Sequence, residues 1–271
     1  MSPMEKQTHP ASFDVGRSTL PFSNRFPFDE EERAWIRESF QTALVGGAAI
    51  GALMFGVGIL LVPLLLLIAG RALERELSPV YGLCGGMCYT ALDCHKAGIP
   101  ASHLIDSPEK PKAGSVLHRY LWRRQLDSWI DNGITFGTWY LALKSVSNWR
   151  TSCGTAEWAR RRTEQEWRKL KSLLDADNPV PIGLVRGGRK LTANHQVVAI
   201  GYEEPDEALV VLYVYDPNCP GKKSVIQLRF GSRPFEGQEM CSSVALRGFF
   251  VEKYRVKVPG WNLDGYRGAR E

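Results

Sequence analysis

Residues 194–218 read NHQVVAIGYEEPDEALVVLYVYDPN, and this stretch decides the fold. Two runs rich in Val, Ile and Tyr are bounded by Asn, Gly, Pro and Asp, the pattern of two short β-strands joined by a turn. Antiparallel pairing through a turn around Glu203 to Glu207 lays His195, at the start of the first strand, beside Asp216, at the end of the second. Similar runs flank the pair: PIGLVRG from Pro181, KSVIQLRF from Lys223 and LRGFFVEKYRVKV from Leu246. The periodic segments upstream are patterned as helices. Helices first and strands second define an α+β chain.

Working outward, the spacing predicts a helix that opens near Cys84, runs through MCYTALDCHKAG and stops at Gly98-Ile99-Pro100, where Gly takes a left-handed cap and Pro blocks continuation. A loop rich in Pro, Ser and Lys follows. GSVLHRYLWRRQLDSWID, residues 114–131, places Leu117, Leu121, Leu126, Trp129 and Ile130 near helical spacing, and 135–148 reads as a separate helix. In the first of these, Trp122, Arg123, Arg124 and Gln125 are candidates to line the cleft, against the commoner arrangement in which the helix packs its aromatic on the core and turns its arginines to water. TAEWARRRTEQEWRKLKSLLDAD puts Trp158, Trp167, Leu170 and Leu174 on one side. Its basic residues Arg160, Arg161, Arg162, Arg168, Lys169 and Lys171 alternate with Glu157, Glu164 and Glu166, which marks a solvated face with local ion pairs.

Residues 1 to about 20 are polar and turn-rich and are expected to be poorly ordered. Asp29 followed by Glu32 reads as a capping box that starts a helix. That helix leads into ALVGGAAIGALMFGVGILLVPLLLLIAG, an uncharged run from Ala43 to Gly70. About 20 apolar residues span a bilayer core as helix, so 43–70 is read as a transmembrane segment, with a Gly47/Gly51 GxxxG pair and a kink at Pro63. The competing reading is a buried hairpin. Arg25, Arg33 and Arg37 on one side balance Arg71 and Arg75 on the other, so the flanking charges leave orientation open.

The 271-residue chain holds 34 Lys and Arg against 29 Asp and Glu, a formal charge of +5 that falls short of a nucleic-acid binder's basic signature. Six cysteines in a chain too long to need disulfide staples are read as free thiols in a reducing compartment. No apolar run lies near the start, so no cleavable secretory signal is expected.

The chemistry centres on Tyr81-Gly82-Leu83-Cys84-Gly85-Gly86-Met87-Cys88-Tyr89. A Cys at the first turn of a helix meets unpaired N–H groups and partial positive charge, which favour thiolate over thiol. Gly85 and Gly86 keep bulk from the sulfur. A thiolate nucleophile needs a base, and the base needs an orienting group. His195 and Asp216 supply both.

CGGMCYTALD, YLWRRQLDSW, NHQVVAIGY and VYDPN together resemble the papain-like cysteine peptidases, and more narrowly the bacteriocin-processing type, in which Cys-Gly opens the helix, His precedes a Val-Val strand and Asp-Pro ends the next. The resemblance covers roughly residues 80 to 255. It implies a papain-like fold, N-terminal helices packed on a C-terminal antiparallel sheet and preceded by the hydrophobic segment, with Cys84 as nucleophile, His195 as general base and Asp216 as orienter. One position departs from the family: the Gln that usually sits about six residues before the nucleophile as an oxyanion donor is Ser78 here, and Gln125 and Gln196 sit elsewhere in the sequence. Cys88 competes with Cys84, because the papain signature uses the second Cys of its motif. Cys84, Cys88, Cys94 and His95 also invite a zinc site, but their spacing fits no paired knuckle, and neither metal nor cofactor is expected.

The resulting organisation is a polar segment (1–28), a helix with the apolar span (29–75), a cysteine hydrolase domain (76–258) and a tail (259–271). The expected function is a single-pass, membrane-anchored hydrolase of a peptide or amide bond. Its substrate would be a peptide or protein, membrane-associated because the site lies close to the span, and its domain would face the cytoplasm. Two other classes stand beside it: a papain-fold binding module without turnover, and a membrane-disrupting element at 43–70 with the domain as carrier.

Overall fold

The computed structural model describes residues 8–10, 12–36, 38, 80–144, 153–186, 194–230 and 235–260. The apolar span at 43–70, Ser78 and the tail from 261 lie outside the described residues, and among those described no helix is long and apolar enough to cross a membrane.

The C-terminal half is a closed antiparallel barrel. Its strands are β4 (Val180–Arg186), β5 (His195–Glu203), β6 (Leu209–Tyr215), β7 (Lys223–Arg229), β8 (Glu236–Glu239) and β9 (Ala245–Val251). They follow the order β5-β4-β9-β8-β7-β6, and β6 returns to β5 to close it. Closure removes the free edges that a sheet of six short strands would otherwise expose. The interior is filled by Ile182, Leu184, Val197, Leu212, Val214, Ile226, Leu228 and Phe249, and one end is covered by Trp167, Leu170 and Leu174 of helix α5 (Cys153–Asp175). The expected face of α5 is therefore the buried one, and its basic residues pair locally: Arg160 with Glu157 and Glu164, Arg161 with Glu157.

Strand β5 reads as a continuous apolar run because both of its faces are covered. Val197 and Ala199 point into the barrel, whereas Val198 and Ile200 meet Cys88, Tyr89 and Leu92 of helix α3 (Cys84–Ala97). Helix α3 is buried on nearly every side, from Gly85 through Cys94, and ends where expected: Gly98 takes φ 68° and donates its N–H to the carbonyls of Cys94 and His95.

Helix α4 (Val116–Lys144) lies against α3. The two helices expected here are one, because no turn is needed at Asn132-Gly133. Asn132 donates to the Ser128 carbonyl one turn back and to Tyr89 Oη, and accepts from the backbone N–H of Lys253. Gly86 lets the helices approach, since a Cβ there would overlap the Leu121 carbonyl oxygen.

The N-terminal segment is more ordered than its polarity suggests. Strand β1 (Thr8–Pro10) extends the β4 side of β5, and Phe13, Leu20, Phe22, Phe26 and Phe28 are buried. Strand β2 (Phe26–Pro27) pairs with β3 (Val80–Tyr81), Phe26 opposite Tyr81, which brings the segment to the start of α3. After a one-turn helix α1 (Val15–Ser18), Asp29 caps helix α2, described at 30–36 and 38, through the Glu32 N–H. Glu32 does not complete the capping box. Its carboxylate turns inward to His118 at 2.9 Å and accepts from Trp122 Nε1, partners that the local motif could not disclose.

Two cysteines contradict the free-thiol expectation. Cys219 and Cys241 form a disulfide across 22 residues, with Cα atoms 6.5 Å apart, because the barrel brings the turn after β6 to the turn after β8. Cys84, Cys88 and Cys94 are free.

Candidate active site

Three elements converge on a cleft of about 600 Å³ lined by Cys84, His195, Gln125, Gln196, Asn218 and Asn24, with Trp129, Phe136, Leu184 and Phe250 as its apolar walls. Cys84 is the first residue of α3 and is partly exposed. His195 is the first residue of β5, and Asp216 follows the last residue of β6. The β5–β6 pairing sets Val198 opposite Tyr215, and from that register His195 Nε2 reaches Asp216 Oδ1 at 2.7 Å. The pairing read from residues 194–218 thus holds in the structure.

Both partners are buried, His195 at 4% and Asp216 at 2% exposure. Asp216 Oδ1 also accepts the Asn218 N–H at 2.8 Å, and Asn218 Nδ2 lies 3.1 Å from His195 Nε2. Burial opposes a charged imidazole, but the hydrogen bonds and charges of Asp216 and Cys84 outweigh it and raise the His195 pKa to about 9. Burial likewise works against the Asp216 carboxylate, yet His195, the Asn218 N–H and Arg186 hold its pKa below the usual range. With Nε2 committed to Asp216, Nδ1 is the ring nitrogen left for the Cys84 sulfur. This division of labour is what an orienting acid achieves.

Cys88 does not share the site. It is wholly buried, its Sγ faces the Gln196 carbonyl at 3.3 Å, and burial pushes its pKa well up. A thiolate is not accessible there. Cys94 packs in the separate cluster with Leu83 and Leu104, and His95 rests against Phe13, so the Cys84, Cys88, Cys94 and His95 set is not gathered as a metal site. Among the described residues the one grouping with ligand spacing is His195, Asp216 and Glu239. There Arg186 Nε donates to Glu239 Oε1 at 2.6 Å and Nη2 pairs with Oε2, placing a guanidinium beside the acid pair.

Of Trp122, Arg123, Arg124 and Gln125, the candidates to line the cleft, Gln125 lines it, and the fold joins to it a residue that spacing did not single out. Gln125 and Gln196, far apart in sequence, meet beside Cys84: Gln125 Nε2 lies 3.3 Å from Gln196 Oε1, and that oxygen is 3.6 Å from Cys84 Sγ. Gln125 Oε1 accepts the Gly86 N–H at 3.1 Å, satisfying one of the unpaired donors of the helix start. Gly85 is needed because a Cβ there would run into Gln196 Oε1 and Ser128 Oγ. The two glycines therefore admit neighbours, α4 and the Gln196 carboxamide, rather than merely leaving the sulfur bare.

Glu252 closes the floor. Gln196 Nε2 donates to its Oε1 at 2.5 Å, and burial raises its pKa to about 7 against the lowering by Gln196 and Tyr89. A carboxyl raised from its unfolded value near 4.5 binds a proton in the folded state first. Its contribution to stability is complete below pH 4.5 and is lost as pH rises through about 7,. His195 acts with the same sign between 6.5 and about 9,. Thermal melts across this range are expected to show stability falling with pH. In Glu252→Gln the fall between pH 4.5 and 7 should largely vanish while the fall above it remains. An unchanged profile in that variant would mean Glu252 is already ionised when folded.

No family model, no curated protein and no solved structure matches the chain.

Proposed function

We propose that this chain is a papain-like cysteine hydrolase, tethered to a membrane through 43–70, that cleaves a peptide or amide bond. The observation that carries the reading is the convergence of a helix-start cysteine, a buried imidazole and its carboxylate partner on one open cleft. The helices-then-barrel order is compatible with the papain-like arrangement and supports it further.

In this mechanism the Cys84 thiolate attacks the substrate carbonyl, forming a C–S bond while the carbonyl π electrons move to oxygen. Collapse of the tetrahedral adduct breaks the C–N bond, and the His195 imidazolium gives its proton to the leaving amine. Water, deprotonated by His195, then attacks the thioester, and the acid departs with Cys84 regenerated. Asp216 keeps the imidazole oriented and favours its charged form. The apolar walls Trp129, Phe136 and Phe250 suit a peptide with a bulky side chain near the scissile bond. The Cys219–Cys241 disulfide is a feature of oxidising compartments,, and it counts against the cytoplasmic placement expected from cysteine usage.

The test is chemical. With the full chain, limiting iodoacetamide followed by peptide mapping is expected to label Cys84 at least tenfold faster than Cys88 or Cys94 at pH 7, as an accessible sulfur beside a base should against buried thiols,. p-Nitrophenyl acetate is expected to give a burst from acylation of the same residue. A Cys84 no more reactive than the buried thiols would overturn the hydrolase reading and leave a binding module.

A further inference from the structure

The departure at Ser78 leaves the proposed hydrolase without its expected side-chain donor for the negatively charged oxygen of the tetrahedral adduct. Backbone alone offers the Cys84 N–H at the helix start. The carboxamides nearest the sulfur are already spent as donors: Gln125 Nε2 on Ser128 Oγ and Gln196 Oε1, Gln196 Nε2 on Ser128 Oγ and Glu252 Oε1. Of the asparagines that also line the cleft, Asn132 spends its Nδ2 on Tyr89 Oη and the Ser128 carbonyl and Asn218 lies against His195, whereas Asn24 sits beside the start of α3.

Asn24 is 7% exposed and held by two hydrogen bonds. The β2–β3 pairing carries it alongside Leu83. Its Oδ1 accepts the Leu83 N–H at 2.5 Å, and its own backbone N–H donates to the Pro217 carbonyl at 2.9 Å. An N–H can only donate, so the atom facing Leu83 must be the oxygen, and the orientation of the amide follows. Nδ2 is then the other arm, packed so closely over Gly82 that a Cβ there would lie 2.8 Å from it. Among the described residues it has no acceptor. Asn24 is thus held by its side chain to the residue that precedes Cys84 and by its backbone to the loop that carries Asp216 and Asn218, with Nδ2 as its unused donor.

We infer that Asn24 is a catalytic residue, whose Nδ2 donates with the Cys84 N–H to the oxyanion of the substrate carbonyl, taking the place of the Gln absent at position 78. This inference rests on the hydrolase reading. A donor fixed before the reaction costs no reorganisation when the charge appears. Gly82 is small because the amide must lie against the backbone there.

Two reagents separate the donor from the thiolate. Alkylation by iodoacetamide forms no oxyanion and reports the Cys84 thiolate alone, whereas acylation by p-nitrophenyl acetate passes through a tetrahedral adduct. In Asn24→Ala, acylation is expected to fall by on the order of a hundredfold while Cys84 alkylation stays within about twofold of wild type. Asn24→Asp keeps an oxygen for the Leu83 N–H and so protects the helix start. It should melt as the wild type does and acylate at least tenfold more slowly. Acylation unchanged in either variant overturns the assignment. Equal losses of acylation and alkylation in Asn24→Ala also overturn it, reducing Asn24 to a positioning residue for the helix start. A wild-type chain that alkylates at Cys84 but never acylates would instead sink the hydrolase reading itself.

Discussion

Asp93→Ala is expected to destabilise the protein by about 3–5 kcal/mol, the range for breaking a buried ion pair from one side, measured by urea denaturation of the full chain. Asp93 is fully buried in α3, and its carboxylate gathers Arg124 of α4, Tyr120, Tyr254 and the backbone N–H of Lys257. Arg124 Nε lies 2.8 Å from Asp93 Oδ2, and the guanidinium is stacked over Tyr89 and Tyr254. Removing the acid leaves a buried cation that cannot shed its proton with only the partly exposed Asp127, 2.8 Å from Nη1, as counter-charge. Arg124→Met should cost less, because Asp93 keeps three donors, Tyr120 Oη, Tyr254 Oη and the Lys257 N–H, and can take up a proton instead. Its pKa is already raised, burial exceeding the lowering by Arg124. Equal losses in the two variants would contradict this asymmetry. The same network joins α3, α4 and the segment after β9, so it also holds Cys84 and Gln125 in register.

That network marks where sequence reading stops. Period-2 alternation and turn residues disclosed the strands around His195 and Asp216, because local patterning and the register of one hairpin were enough to place both. The start of α3 at Cys84 and its end at Gly98 were equally local. Arg124 was expected in water because a helix written with two adjacent arginines normally turns both outward. It is buried since Asp93, one helix away, supplies the counter-charge, and no spacing rule links the two. The apparent break at 132–134 failed for a related reason: Asn132 finds partners in Tyr89 and Lys253, contacts made only after the chain returns from β9.

Asn24 was the least legible of all. Nothing in SNRFPF singles it out, and its relevance arises from a two-residue ladder with Val80–Tyr81 across a long stretch of sequence. Gln125 and Gln196 carry the same lesson, since both are ordinary polar residues until α4 and β5 meet over Gly85. The strand pattern disclosed individual strands but not closure of the barrel, because the short β8 and the disulfide between the turns after β6 and β8 leave only faint local traces.

His195→Ala is expected to leave the barrel standing and to lower Cys84 acylation by on the order of a thousandfold or more, the scale of losing a positioned base. The more discriminating variant is Asp216→Asn. In the wild type, His195 remains protonated up to about pH 9 because Asp216 and Cys84 outweigh burial. Asparagine keeps a hydrogen-bonding oxygen for Nε2 but withdraws the charge, so burial gains ground and the imidazole should lose its proton nearer neutrality. The imidazolium supports the attacking thiolate, so the upper limb of the acylation profile should move from near 9 to lower pH. Asn218→Ala removes a neutral neighbour of the same ring nitrogen and should shift that limb far less. An Asp216→Asn chain whose limb coincides with the wild type would show that the carboxylate does not govern His195, and the division of labour between the two ring nitrogens would fall with it.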